Sequence, residues 1–327
     1  QALPYYLRAA KVAKQVFAND EAISMLQRGL ALFLENRVPV NEKSEALRVS
    51  ILEETGDLLE LNALHEEALQ AYQQAQIWLS LIDPIKGARL HRKIGIVKRE
   101  QRHFAEALDA YQQAETSLGK QPDMASDSWW DEWLEVQVEQ VWAYYWMAQW
   151  QEMEALVNKA EPIVRERGSS ANRMRFLMAS CLMHLRKERY LVSDEMLANS
   201  RQVLAASQIW GSMKTRIECH FEFGFLNLWR RELTEAEQYL KAALELAEKT
   251  GVLPYQTLSL TYLTVLYRFR GQMDQVQEYA QRALKAAEAA QMPDYVAAGK
   301  GNQAWFAWRK VDLLAAEQFG RTALEIW

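Results

Sequence analysis

The phrase Ala107-Leu108-Asp109-Ala110-Tyr111-Gln112-Gln113-Ala114 repeats, nearly unchanged, an earlier Ala68-Leu69-Gln70-Ala71-Tyr72-Gln73-Gln74-Ala75, and returns in looser form as Ala236-Glu237-Gln238-Tyr239-Leu240-Lys241-Ala242-Ala243. The shared template is a small residue, three residues, a large apolar one, two residues and a second small one. On a helix, offsets of three and four lie on one face, so the template describes a helix whose packing stripe alternates small and large side chains. Weaker copies begin at Ala22, Met153, Ser193, Val276 and Ala316. The starts fall 39–46 residues apart, and a period of roughly 20–50 residues marks a repeat architecture in which one supersecondary unit stacks on the next.

A second helical stretch precedes each phrase and carries a small residue at a fixed place. Leu52-x-x-Thr55-Gly56 stands before Ala68, His91-x-x-Ile94-Gly95 before Ala107, and His220-x-x-Phe223-Gly224 before Ala236. Glycine inside a helix costs about 0.5–1 kcal/mol relative to alanine, so its recurrence implies close backbone approach by the partner helix. Cys181 falls at the same register and reads as packing. Breakers separate the units: Pro39, Pro84 with Gly87, Gly119 with Pro122, Gly168, Gly211, Gly251 with Pro254, and Pro293. Within hairpins, Asn19-Asp20 and Gly271 mark turns. Pro162 lies inside a trailing helix, where it is expected to kink or end it. The pattern is all-α, about eight helix hairpins forming one domain over residues 1–327.

The 327 residues include only 13 glycines and 7 prolines, and half are hydrophobic. The formal net charge of −5 and the lack of a basic domain disfavour nucleic acid as a partner. No apolar stretch reaches the roughly 18–20 residues a bilayer requires, and the amino terminus lacks the basic start of a signal peptide. Two cysteines, Cys181 and Cys219, form no disulfide framework, which points to a reducing, cytoplasmic setting.

These residues resemble the tetratricopeptide repeat family over essentially the whole chain. The repeat here is about 40 residues rather than the family's 34, and the family's leading aromatic is mostly replaced. The longer form is similar to the sensor regions of bacterial signal-transduction ATPases and of maltose-activator-type, LuxR-like transcription regulators. The resemblance implies a right-handed superhelical solenoid. Gln1 at one end and the uncapped, apolar Leu324-Glu325-Ile326-Trp327 at the other suggest a fragment of a longer multidomain protein, because a solenoid needs polar capping repeats.

The resemblance also implies that leading helices line an inner surface through their second, fifth, ninth, twelfth and thirteenth positions. With Gly56, Gly95 and Gly224 at the eighth, Trp142, Tyr145 and Trp146 point inward, as do Phe221, Phe225 and Trp229, then Arg268 and Phe269, then Trp305, Trp308 and Arg309. Arg89, Arg92, Arg99, Arg175 and Arg186 join them. Aromatic faces bury large area and guanidinium forks bind carboxylate or phosphate, so these residues form a candidate ligand groove. The competing reading is core packing, since Trp142, Trp146 and Trp150 recur every four residues. Inward positions of the second repeat, Ser50, Glu53, Asp57 and Glu60, form an acidic face suited to a basic peptide.

Catalytic motifs are absent. There is no phosphate-binding glycine loop, no His-Glu-x-x-His and no nucleophile elbow. Cys181-x-x-His184 and Cys219-His220 are too sparse for a zinc site and fall in packing registers, so no metal or cofactor is expected. No carboxylate stands in an evidently apolar setting. The expected function is a non-enzymatic sensor or docking domain of a signalling or transcription-regulatory protein, binding a protein, a peptide or a small-molecule effector. The alternative is a constitutive protein-interaction scaffold; self-association is a further partner class.

Overall fold

The computed structural model describes residues 2–35, 37–39, 41–79, 83–120 and 126–327. Pro122 lies outside them. Among the described residues there are sixteen helices and no strand: α1 Ala2–Gln15, α2 Asn19–Leu34, α3 Glu42–Leu61, α4 His65–Trp78, α5 Pro84–Glu100, α6 Phe104–Leu118, α7 Asp127–Trp146, α8 Trp150–Arg167, α9 Ser170–Lys187, α10 Asp194–Trp210, α11 Met213–Arg230, α12 Leu233–Thr250, α13 Leu253–Arg270, α14 Met273–Ala289, α15 Pro293–Arg309 and α16 Leu313–Ile326. Consecutive pairs make eight hairpins, as the repeat spacing predicts.

The chain divides into two compact units, Gln1–Ala179 and Ser180–Trp327. In the first, the core runs through Leu26, Ile51, Leu52, Leu58, Tyr72 and Leu90, and continues around Tyr111, Trp129, Trp130 and Val136. In the second it runs through Leu228, Leu240, Leu260, Leu263, Leu266 and Tyr267. Ala68, Ala107 and Ala236, the small residues opening the three clearest phrases, are fully buried. No described helix is long and apolar enough to cross a membrane.

Helix starts follow side-chain chemistry. Asn41 and Ser44 form a reciprocal capping box on α3, Asp83 caps α5 ahead of Pro84, and Ser126, Ser193 and Ser212 cap α7, α10 and α11. The turns inside hairpins share one device. A backbone N–H bonds the carbonyl five residues back, as in Leu64 to Leu59, His103 to Lys98, Gln149 to Tyr144 and Gln272 to Tyr267, closing a Schellman-type C-cap. That geometry needs a left-handed residue, and only Gly271 supplies it as glycine. Phe17, Ala63, Arg102, Ala148, Arg231 and Val311 adopt positive φ in the other regular turns. In the first hairpin the left-handed residue is Phe17, and Asn19-Asp20 forms the first turn of α2.

Of the two outcomes expected at Pro162, a kink or an end, the end does not occur: helix α8 runs through it. Pro162 and Asn158, whose carbonyl loses its helical donor, are both exposed, so the lone carbonyl faces solvent. The copy of the template assigned to Ser193 begins at Met196. Ser193 is exposed and caps α10 by accepting from the Met196 N–H, while Met196, Ser200, Val203 and Ser207 take the buried stripe. The cause is a longer turn between α9 and α10, with two consecutive left-handed residues, Arg189 and Tyr190.

Candidate functional site

The inward positions of the first unit do not present free charges. Lys93 on α5 sits 2.6 Å from Glu53 and 2.7 Å from Asp57 on α3. Asp57 also accepts from the Tyr72 hydroxyl at 2.8 Å. One helix on, Arg92 lies 2.5 Å from Glu132 and Arg99 2.7 Å from Glu139, both carboxylates on α7. Arg89 reaches Glu132 as well. From α9, Arg175 reaches back to Glu139 at 2.6 Å and Glu135 at 3.1 Å. Acid on α3, base on α5, acid on α7 and base on α9 therefore alternate, at sequence separations of 36–43 residues. Glu132 and Glu139 are only 4 % exposed. Burial works against the charge on Arg92 and Arg99, but the carboxylates override it and hold both guanidinium groups above their ordinary value. Sequence reasoning placed the arginines but missed Glu132, Glu135 and Glu139; their separation of one repeat from Arg92 and Arg99 was the available signal.

Trp142, Tyr145 and Trp146 lie together at the end of α7. Tyr145 is buried and makes edge contacts with Trp142 and Trp146, with ring centres 6.0 and 5.4 Å apart. Arg102 stacks on Trp146 at 4.2 Å and Arg99 lies 5.9 Å from Trp142.

In the second unit Phe221, Phe225 and Trp229 follow one face of α11. Phe225 is buried between Phe221, at 5.7 Å, and Tyr262, at 4.6 Å. Tyr190 rests 5.4 Å from Trp229, and Arg186 lies over Tyr190 at 5.4 Å. The long α9–α10 turn thus folds its tyrosine onto the end of α11. Beside it opens a cleft of about 670 Å³, whose lining includes His184, Glu188, Tyr190, Asp194, Trp229 and Arg230. Arg230 bonds Asp194 at 2.6 Å across the rim.

Farther along the second unit, Arg231 stacks on Phe269 at 3.6 Å and Arg268 on Trp305 at 4.7 Å. Arg309 lies 5.8 Å from Trp305 and 6.0 Å from Trp308, whose ring is half exposed.

The packing residues sit where the register places them. A Cβ on Gly56 would stand 2.7 Å from Tyr72 Cδ1, and one on Gly224 would stand 2.9 Å from the Leu240 backbone nitrogen. Cys181 is buried, its thiol donating toward the Met196 carbonyl at 3.9 Å, and burial pushes its pKa up, away from the reactive thiolate. Among the described residues no group of three His, Cys, Asp or Glu side chains gathers as a metal site would require.

One carboxylate contradicts the sequence reading that none stands in an apolar setting. Glu222, between Phe221 and Phe223 on α11, is buried, and among the described residues neither of its oxygens has a hydrogen-bond partner. Burial, with the nearby charge of Glu218, pushes its pKa up to about 8. The clue was an acid inside the run Phe221-Glu222-Phe223-Gly224-Phe225.

Solved structures share this arrangement of helix hairpins. A Rap protein complexed with Competence and Sporulation Factor matches 99% of this chain and 97% of its own, with 15% identity and a TM-score of 0.63. The Rap conjugation gene regulator of plasmid pLS20, in complex with a Phr peptide, matches 99% of this chain and 94% of its own, with 15% identity and a TM-score of 0.68. A signal-transduction ATPase with a tetratricopeptide repeat sensor from Pyrococcus horikoshii matches 92% of this chain and 48% of its own, with 14% identity and a TM-score of 0.55. The fold is a tetratricopeptide-type helical repeat. No protein-family profile and no curated protein sequence matches the chain.

Proposed function

We propose that this chain is a non-enzymatic, cytoplasmic binding domain of a regulatory protein, and that its ligand is a peptide received by the second unit. The observation that carries this is the cleft at the α9–α10 turn. Its volume of about 670 Å³ lies in the range of ligand sites, roughly 300–1,000 Å³. Tyr190 and Trp229 wall it, and His184, Glu188, Asp194 and Arg230 ring it with both signs of charge. An apolar wall with a polar rim suits side chains of a short peptide whose backbone amides need partners. The turn that builds the cleft is also where the repeat is broken by extra residues and two left-handed positions, and irregular backbone inside a regular array is where function concentrates.

One of the similar folds was solved in complex with a Phr peptide, which supports a peptide over a small metabolite, and another was solved complexed with Competence and Sporulation Factor. Two free, buried thiols fit a reducing compartment.

The test is a thermal-shift screen of a pooled five- to eight-residue peptide library, followed by titration of single peptides. A binding peptide raises the melting temperature by mass action. Trp229→Ala and Tyr190→Ala should abolish that rise while leaving the helical circular dichroism unchanged. If no pool shifts the melting point, or the shift survives both substitutions, the cleft is not a peptide site.

A further inference from the structure

The first unit satisfies each inward guanidinium it describes with a carboxylate one hairpin away; the second does not. Arg268 near the end of α13 and Arg309 at the end of α15 lie on successive leading helices, and Arg231 follows α11 in its left-handed turn. Among the described residues, no carboxylate lies within ion-pair distance of any of them. Arg231 rests on Phe269, and Arg268 rests on Trp305, with Arg309 also within 6 Å of that indole. Among the described residues, the polar partner of Arg268 is a neutral amide, the Asn302 side-chain oxygen at 2.8 Å. Two like charges thus share the rim of one aromatic ring, one of them half-buried and held in place by stacking and an amide. A guanidinium withdrawn from water calls for a counter-anion or a full set of acceptors. A ring contact restrains a guanidinium, and a restrained fork suits bidentate oxyanion recognition.

We propose that Arg268 and Arg309, across the rim of Trp305, form an oxyanion subsite for a carboxylate or phosphate group, with Arg231 adding charge beside Phe269. The subsite rests on reading the second unit as the ligand-bearing one, and it names the chemistry of the ligand: an acidic group. In a peptide ligand that group is an Asp or Glu side chain or the terminal carboxylate. A small ligand would bring a phosphate. The local excess of positive charge stands against a chain that is net negative, so it would steer an acidic ligand to this end of the unit.

The experiment is calorimetric titration of the full chain with three probes: N-acetylated, C-amidated hexaglutamate, the matching hexaglutamine, and inorganic phosphate. Hexaglutamate or phosphate should bind, hexaglutamine should bind at least tenfold more weakly than hexaglutamate, and added salt should weaken binding steeply. Arg268→Gln with Arg309→Gln should reduce the affinity at least tenfold, and Arg268→Lys with Arg309→Lys should recover only part of it, because the charge returns without the fork. Trp305→Phe should remove the fluorescence change on binding. Binding of hexaglutamate alone identifies the source as a peptide carboxylate, and of phosphate alone as a free phosphorylated ligand. If neither anion binds, or if either binds equally to the Arg268→Gln Arg309→Gln variant, the subsite is overturned. Equal binding of hexaglutamine and hexaglutamate overturns it while leaving peptide binding intact, whereas phosphate binding without any peptide binding leaves the subsite and removes the peptide.

Discussion

The ring of Tyr111 occupies the space that a side chain at residue 95 would fill: a Cβ built on Gly95 stands 2.7 Å from Tyr111 Cδ1 and 2.9 Å from Cζ. Leading helix α5 and trailing helix α6 come together through this pair, and Gly56 with Tyr72 repeats it one hairpin earlier. The tyrosine supplies the large side chain of the template and the glycine supplies the room. The aromatic in one helix and the glycine in the other are a single packing unit written at two places in the sequence.

Gly95→Ala should therefore lower stability by about 1–3 kcal/mol, the usual range for overpacking, although alanine is the better helix former. Tyr111→Leu in the same chain should recover part of the loss by opening the space. Urea denaturation of the two single variants and the double variant measures the coupling. Additive losses would show that the two residues do not share that space.

The ion pairs between α5, α7 and α9 give a second prediction. Glu139→Gln leaves Arg99 and Arg175 partly buried with one carboxylate fewer, and removing one partner of a buried pair typically costs about 3–5 kcal/mol. Replacing all three, Arg99→Met with Glu139→Leu and Arg175→Met, should restore most of that loss, since the apolar set has no desolvated charge. Urea midpoints for both variants provide the comparison. A harmless Glu139→Gln would show that water screens the network.

Glu222 sets a pH dependence. Its folded pKa of about 8 lies above its ordinary 4.5, so the unfolded chain releases this proton first as pH rises. Stability contributed by this group is complete below pH 4.5, falls between about 4.5 and 8, and is flat above. We expect Glu222→Gln to raise the melting temperature at pH 8 and to leave it nearly unchanged at pH 4.5, a differential on the order of a few kcal/mol. The same melting shift at both pH values would rule out this proton as the cause.

The hairpin turns offer a stabilising change. Ala148 is exposed and holds φ at 58°, a conformation costing about 1–2 kcal/mol for an L side chain. Ala148→Gly removes that strain at the expense of a more flexible unfolded chain, so a net gain of roughly 0.5–1 kcal/mol is expected. Thermal melting checks it, and a lowered melting temperature would mean the alanine methyl contributes packing that its exposure does not suggest.

How far the sequence could be read differs by element. The helix pairs were legible because Ala68, Ala107 and Ala236 recur with fixed neighbours, and because period, capping and glycine placement all follow from contacts local to one hairpin. The turns were not, apart from Gly271: Ala63, Arg102 and Ala148 are forced left-handed by the packing of the helices on either side, and their own preference runs the other way. The α9–α10 turn misled the register for a related reason. Its extra residues carry no breaker, so Ser193 matched the template while acting as a helix cap.

The candidate site divides similarly. The sequence alone determined that rows of aromatic and arginine side chains recur at inward positions, since that depends only on spacing along each leading helix. Only the tertiary structure decided their meaning. Arg92, Arg99 and Arg175 meet carboxylates on a neighbouring hairpin and become framework, whereas Arg268 and Arg309 meet Trp305 and, among the described residues, no carboxylate. A charge's role depends on what faces it across about 5 Å, and that partner belongs to another helix some 40 residues away, so periodicity can place the residue but not pair it.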